Sequence, residues 1–150
     1  LSHKYGEGEI PMSYENPWYY EEKIVESDII DEYIGFVYNI TNLTNNKQYI
    51  GKKLLKRTKT RQVKGKKKRS LVESDWKLYY GSNKELQDDV SILGTGKFKR
   101  EILRLCKTKG ECNYFEAKYQ FNLEVLENED YYNCWIQVKV HKSHLNKIRR

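Results

Sequence analysis

A chain of 150 residues, 38% hydrophobic and 33% charged, fits one domain of ordinary size with a modest core. It holds no apolar run near the roughly 20 residues that cross a bilayer, and its opening LSHKYGEGEI lacks the apolar centre of a signal peptide, so no membrane partner and a soluble, cytoplasmic protein are expected. The formal charge of +7 conceals a division: residues 1–34 carry nine acidic side chains against Lys4 and Lys23, a net of −7, whereas residues 35–150 carry 26 basic and 12 acidic, a net of +14. A positive body of that size favours polyanions through counterion release and steering, with DNA the first candidate.

The chain divides into an acidic, aromatic extension (1–34), a central domain (35–135) containing a basic insertion (52–69), and a basic tail (136–150). In the extension, Trp18, Tyr19 and Tyr20 follow Pro17, and EEKIVESDIIDEY reads as an acidic helix or turn whose Ile24, Ile29 and Ile30 dock on the domain. Such an arm is placed to lie against the basic body and screen it. Residues 35–51, GFVYNITNLTNNKQYIG, read as a hairpin. Phe36, Tyr38 and Ile40 alternate with Val37, and Asn42, Thr44, Asn45 and Asn46 tolerate turn backbones.

Eleven Lys or Arg residues and no acid then fall between Lys52 and Arg69. Like charges at this density repel unless a polyanion neutralises them. Lys56, Arg57, Lys59, Arg61, Lys64, Lys66, Lys67, Lys68 and Arg69 are the DNA-contact candidates, joined by Lys84 further on. Gly65 marks a turn, so the segment reads as a two-stranded excursion. Ser82 with Glu85 has the spacing of a capping box, and Leu86, Val90 and Leu93 continue a helix until Gly94 and Gly96 stop it. KFKREILRLC, 97–106, suits a strand. A second helix is predicted over 111–126, with Phe115, Tyr119 and Leu126 on one side and Tyr114, Ala117 and Phe121 near one edge. Cys106, Cys112 and Cys134 are odd in number and lack metal-ligand spacing, and read as buried reduced thiols. His141 and His144 share spacing but have no carboxylate or cysteine partner, so phosphate contact is the better reading than metal.

Tyr38 on the first strand, the tripeptide Tyr49, Ile50 and Gly51 on the second, Glu116 on the late helix and Asn133 after a tyrosine pair together resemble the GIY-YIG nuclease family. In the first motif Val37 and Tyr38 match, while Phe36 takes the glycine position and Gly35 stands one residue early. The resemblance, over residues 35–135, implies a small α/β domain with a central three-stranded antiparallel sheet flanked by helices. It implies a divalent-metal-dependent DNA endonuclease, similar to free-standing homing enzymes of tailed phages. Glu116 would hold Mg²⁺ or Mn²⁺, which often takes only one or two protein carboxylates. Tyr38 and Tyr49 would line the catalytic surface, one of them positioning or deprotonating the attacking water. An unperturbed phenol of pKa ~10 is a poor base, so Lys52 and Lys53 would favour its ionised form or neutralise the phosphate. Asn133 would orient a loop or contact the phosphate region. The arginine that many members carry after the second motif is bracketed by Arg57 and Arg61. Tyr80 is a further candidate, since Gly81 and the helix opening at Ser82 allow close approach of an anion. A non-catalytic basic nucleic-acid-binding protein, with stacking tyrosines, and an interaction module working through the acidic arm are the other readings.

Overall fold

The computed structural model describes residues 15–145 and 148. The first fourteen residues of the acidic arm, and Asn146, Lys147, Arg149 and Arg150 of the basic tail, lie outside them. The strands are β1 (Trp18–Tyr20), β2 (Lys23–Ile24), β3 (Gly35–Asn42), β4 (Gln48–Leu54), β5 (Lys56–Val63), β6 (Lys66–Glu73) and β7 (Phe98–Cys106); the helices are α1 (Lys84–Leu93) and α2 (Lys109–Asn122).

β3 and β4 form the expected hairpin, with Tyr38 opposite Gly51 and Ile40 opposite Tyr49. Side chains alternate between faces, so Phe36, Tyr38 and Ile40 pack with Trp18, Trp76, Leu86 and Phe98. Val37 and Ile50 pack on the other face with Cys106, Cys112 and Phe115. Each such apolar side chain removed from water stabilises the fold by about 1.5–3 kcal/mol. The asparagines earn their places in the turn. Asn42 Oδ1 accepts from the Thr44 N–H at 2.9 Å and hydroxyl at 2.7 Å, Asn45 Oδ1 accepts from the Lys47 N–H, and Asn46 adopts φ 63°.

The sheet is larger than the three antiparallel strands expected. β7, β3 and β4 supply those three, but the order is β2-β1-β7-β3-β4, and β1 runs parallel to β7 with Trp18 opposite Arg100. The addition is driven by Trp18, which is fully buried, lies 4.9 Å from the Phe36 ring and donates from Nε1 to the Trp76 carbonyl at 2.7 Å. Behind it, Arg100 is held between the rings of Trp18 and Tyr80, 4.7 and 4.1 Å from their centroids, and donates to the Tyr79 carbonyl at 2.8 Å. A bulge in β7 lets Val37 face Arg104 and Tyr38 face Ile102, so that Ile102 and Leu105 both serve the Tyr38 face.

α1 covers that face through Leu86 and Val90, and α2 covers the other through Cys112 and Phe115. The α1 cap is Asn83, not Ser82: its Oδ1 accepts from the Leu86 N–H at 2.9 Å. α2 starts earlier than predicted, with Thr108 accepting from the Glu111 N–H, and ends at Asn122. The chain leaves the helix at Glu124, φ 54°, so Leu126 and Phe121 are exposed and Val125 enters the core instead. Cys106 and Cys112 are buried free thiols as expected, but Cys134 is exposed. Among the described residues, no helix is long and apolar enough to cross a membrane.

Candidate active site

β4 closes one end of the strand order, so every second residue turns its main-chain N–H and C=O away from the sheet. At Gln48 these groups are met by main chain, the N–H donating to Asp130 and the C=O accepting from Tyr132. At Ile50 they are met by a side chain. Asn133 Oδ1 accepts from the Ile50 N–H at 3.1 Å and Asn133 Nδ2 donates to the Ile50 C=O at 2.8 Å. The carboxamide thus stands in for the peptide group of a further strand. Gln120 Nε2 adds a second donor to the same carbonyl at 2.9 Å.

One step further, the Lys52 main-chain N–H and ammonium both favour the charged form of the Glu116 carboxyl, while Lys52 Nζ donates to Asn113 Oδ1. Asn113, Glu116 and Gln120 recur at i, i+3 and i+7, one face of α2, and that face runs along the edge of β4. At this point the two sides of the sheet meet. Tyr38 crosses over Gly51: a Cβ there would lie 2.5 Å from the Tyr38 hydroxyl and 2.9 Å from the Tyr49 ring. The missing side chain is what admits both phenols, with ring centroids 6.1 Å apart. A polar cavity of about 300 Å³ results, lined by Tyr38, Tyr49, Lys52, Tyr79, Ser82, Glu116, Gln120, Trp135 and Gln137.

Burial sets the electrostatics. It pushes the Glu116 carboxyl above its ordinary range, against the opposing effects of the Lys52 ammonium and main-chain N–H. It raises Tyr38 well above the usual phenol value, reinforced by the neighbouring Tyr79 and Tyr49. Tyr49 is also raised, chiefly by burial, but its 3.1 Å hydrogen bond to the Ser82 hydroxyl acts the other way. Both phenols are therefore protonated at neutral pH in the protein alone.

Residues 18–136 match the family model described as "Putative endonuclease segE, GIY-YIG domain". The chain belongs to this GIY-YIG family. It is also 32% identical over 98 residues to "Putative endonuclease segE" of Enterobacteria phage T4, an overlap of 65% of this chain and 39% of that protein. The GIY-YIG chain thus spans about two fifths of the length of that curated relative. No solved structure matches it.

Of the residues singled out in the sequence, the GIY-YIG fold brings Tyr38, Tyr49, Lys52 and Glu116 into one cavity and leaves Asn133 outside its lining, bonded to Ile50. Lys53 turns away from it, paired to Asp75 at 2.6 Å and 4.2 Å from the Tyr79 ring centroid. It shares a neighbouring groove of about 390 Å³ with Lys52, Lys56, Arg57 and Lys109. Tyr80 faces the opposite way, its hydroxyl accepting from Asn16 Nδ2 at 3.0 Å; Tyr79 takes the place in the cavity. Lys59, Arg61, Lys64, Lys66, Lys67, Lys68 and Arg69 lie on a separate two-stranded ribbon, β5 paired with β6. Lys84 stands apart from it at the start of α1, paired to Asp88 at 2.5 Å.

Sequence reasoning missed Tyr79, Asn113, Gln120 and Trp135. The polar stripe at i, i+3 and i+7 on α2 is a signal that finds Asn113 and Gln120 once Glu116 is chosen. Among the described residues there is no cluster of three or more His, Cys, Asp or Glu side chains suited to a metal, so any cation here depends on Glu116 and on oxygen atoms outside that set.

Proposed function

We propose that the chain is an endonuclease that hydrolyses phosphodiester bonds in DNA with a divalent cation, Mg²⁺ or Mn²⁺, at Glu116. In this reading it is phage-encoded, acts in the host cytoplasm and serves a homing-like role. The observation that carries it is the meeting of one carboxylate, one ammonium and three phenols in a single polar cavity.

A magnesium ion keeps several waters and is satisfied by one or two carboxylates with phosphate oxygens. Glu116 fits that need, because burial disfavours its ionised form and a cation beside it relieves the cost. When bound, the ion supplies positive charge to the phosphoryl oxygens and makes nearby water more acidic. Lys52, held by Asn113, is placed to neutralise charge growing on the phosphate in the transition state. Tyr38, the more deeply buried phenol, acts as a neutral hydrogen-bond donor. Tyr49 is the phenol placed to orient the attacking water, and it takes that water's proton only as the phenolate, a form that the Ser82 contact favours and that a cation bound at Glu116 would favour further. Lys53 and Arg57 in the adjoining groove hold the flanking strand.

The test incubates the protein and a Glu116→Ala variant with plasmid and with a defined duplex, in magnesium or in chelator, and maps the ends. Cutting by the wild type in magnesium alone, with the variant binding but not cutting, is expected. A protein that binds both DNAs and leaves them intact under every condition is a nucleic-acid-binding protein and not a nuclease.

A further inference from the structure

The basic run has a shape that simple charge neutralisation does not require. β5 and β6 pair along eight residues each, a ribbon of roughly 27 Å at about 3.4 Å per residue. Neither strand joins the five-stranded sheet, and no residue of either is buried. The turn at its tip is as tight as a hairpin allows, Lys64 at φ 51° and Gly65 at φ 76°, the two positive values of a two-residue type I′ turn. The ribbon is therefore narrow to its end.

Its two faces differ. Alternation puts Arg57, Lys59, Arg61, Lys66 and Lys68 on one face with no acid, and Arg61 stands directly opposite Lys68. The reverse face carries Lys56, Lys67 and Arg69 together with Glu73 and Leu71. Like charges directly across a ladder destabilise it, and a hairpin without a buried face is marginal in water. A polyanion against the first face removes the repulsion. At its root, the ribbon joins a groove to which the first face contributes Arg57 and the reverse face Lys56, Thr58 and Leu71, beside Lys52, Lys53 and Asp75, and Lys52 also lines the Glu116 cavity. Ribbon root and cavity are thus joined through Lys52, in a groove whose cations outnumber its one acid, Asp75, itself paired to Lys53.

We propose that the β5–β6 ribbon enters the major groove of duplex DNA with the Arg57, Lys59, Arg61, Lys66 and Lys68 face toward the base edges. A two-stranded ribbon fits a groove about 12 Å wide, and Arg and Lys pair best there with O6 and N7 of guanine. The ribbon's length is under one helical turn of about 34 Å, so the guanines it reads lie within a single turn. The proposal rests on the DNA-directed reading above, but its test does not depend on cleavage.

Wild-type protein in chelator is titrated with duplexes drawn from a random-sequence pool and partly methylated at guanine N7, across a range of salt. Two variants accompany it: one with all five cations of the first face changed to Gln, the other K67Q/R69Q. Methylation at a few guanines is expected to weaken wild-type binding at least tenfold. The five-fold variant loses that interference and up to about 4.5 of the log–log salt slope, at roughly 0.9 per phosphate contact. On that slope a fourfold rise in salt costs the wild type roughly 500-fold more affinity than the variant. The reverse-face variant keeps the interference. Wild-type binding indifferent to N7 methylation overturns the proposal, as does equal loss per charge from both faces. Methylation-sensitive binding without cutting in magnesium supports the ribbon and overturns the nuclease reading; cutting without interference does the opposite.

Discussion

Replacing Asn133 by Ala separates a reacting amide from one that holds the sheet edge. Asn133 is only 9% exposed and both its polar atoms are spent on Ile50. In the Ala variant the Ile50 N–H loses its partner, a cost of about 1–3 kcal/mol for a buried donor. The Ile50 C=O keeps Gln120, so losing its second bond costs about 1 kcal/mol more. The sum, about 2–4 kcal/mol, lowers the melting temperature of a domain this size by roughly 6–12 °C. Gln120→Ala, which leaves the carbonyl bonded to Asn133, lowers it by roughly a third as much. Asn133→Asp fails to rescue, because a carboxylate accepts from the N–H but repels the C=O. Thermal unfolding reads all three, and cleavage is assayed well below each midpoint. An unchanged melting temperature for Asn133→Ala with a thousandfold fall in single-turnover rate would refute the edge-pairing argument and move the amide onto the phosphate.

Gly51→Ala drives a methyl into Tyr38 and Tyr49; overpacking of about 1–3 kcal/mol is expected, with a larger proportional loss of cleavage, measured by calorimetry and single-turnover kinetics. Glu116→Gln should abolish magnesium-dependent cutting by about a thousandfold, equivalent to about 4 kcal/mol. The same variant tests the carboxyl's environment without metal. Because the folded-state pKa of Glu116 is raised, the fold favours the protonated form at low pH and loses that advantage as pH rises through the folded value. The neutral Gln variant should therefore be more stable than wild type at neutral pH in chelator, and the difference should vanish below the ordinary carboxylate range. Tyr38→Phe and Tyr49→Phe should fold and bind DNA while at least one loses roughly 10²- to 10⁴-fold in cleavage, with Tyr49 the stronger expectation; rates within a few-fold of wild type for both would make the phenols framework residues.

The parts legible in the sequence are those specified by neighbours in the chain. The Tyr38/Tyr49 hairpin carries its own alternation and asparagine turn, the ribbon its Lys64–Gly65 tip, and α1 its stop at Gly94. What was not legible depends on partners far away. β1 is three residues long and exists because Trp18 finds β7 some eighty positions later. Ser82 and Asn83 are both good cap formers; tertiary contacts decide between them, since the Ser82 hydroxyl meets Tyr49 while Asn83 Nδ2 also bonds the Tyr132 carbonyl at 2.9 Å. Tyr79 and Tyr80 are chemically alike and adjacent. Arg100 stacks on Tyr80, and that contact turns Tyr79 toward the cavity.

The strand order has a consequence for how this protein meets a polyanion. β2 and the acidic residues around it, Glu21, Glu22, Glu26, Asp28, Asp31 and Glu32, stand at one end of the sheet, and β4, from which the ribbon departs, at the other. Four interstrand steps of about 4.8 Å separate them by roughly 19 Å, roughly twice the Debye length of about 8 Å at physiological salt. At that distance these six acids do not mask the ribbon. They make the molecule a vane. If DNA is the partner, as proposed, the two ends would feel opposite forces in its field, and the resulting torque would swing the β4 edge inward before contact, raising the share of collisions that arrive in a productive orientation.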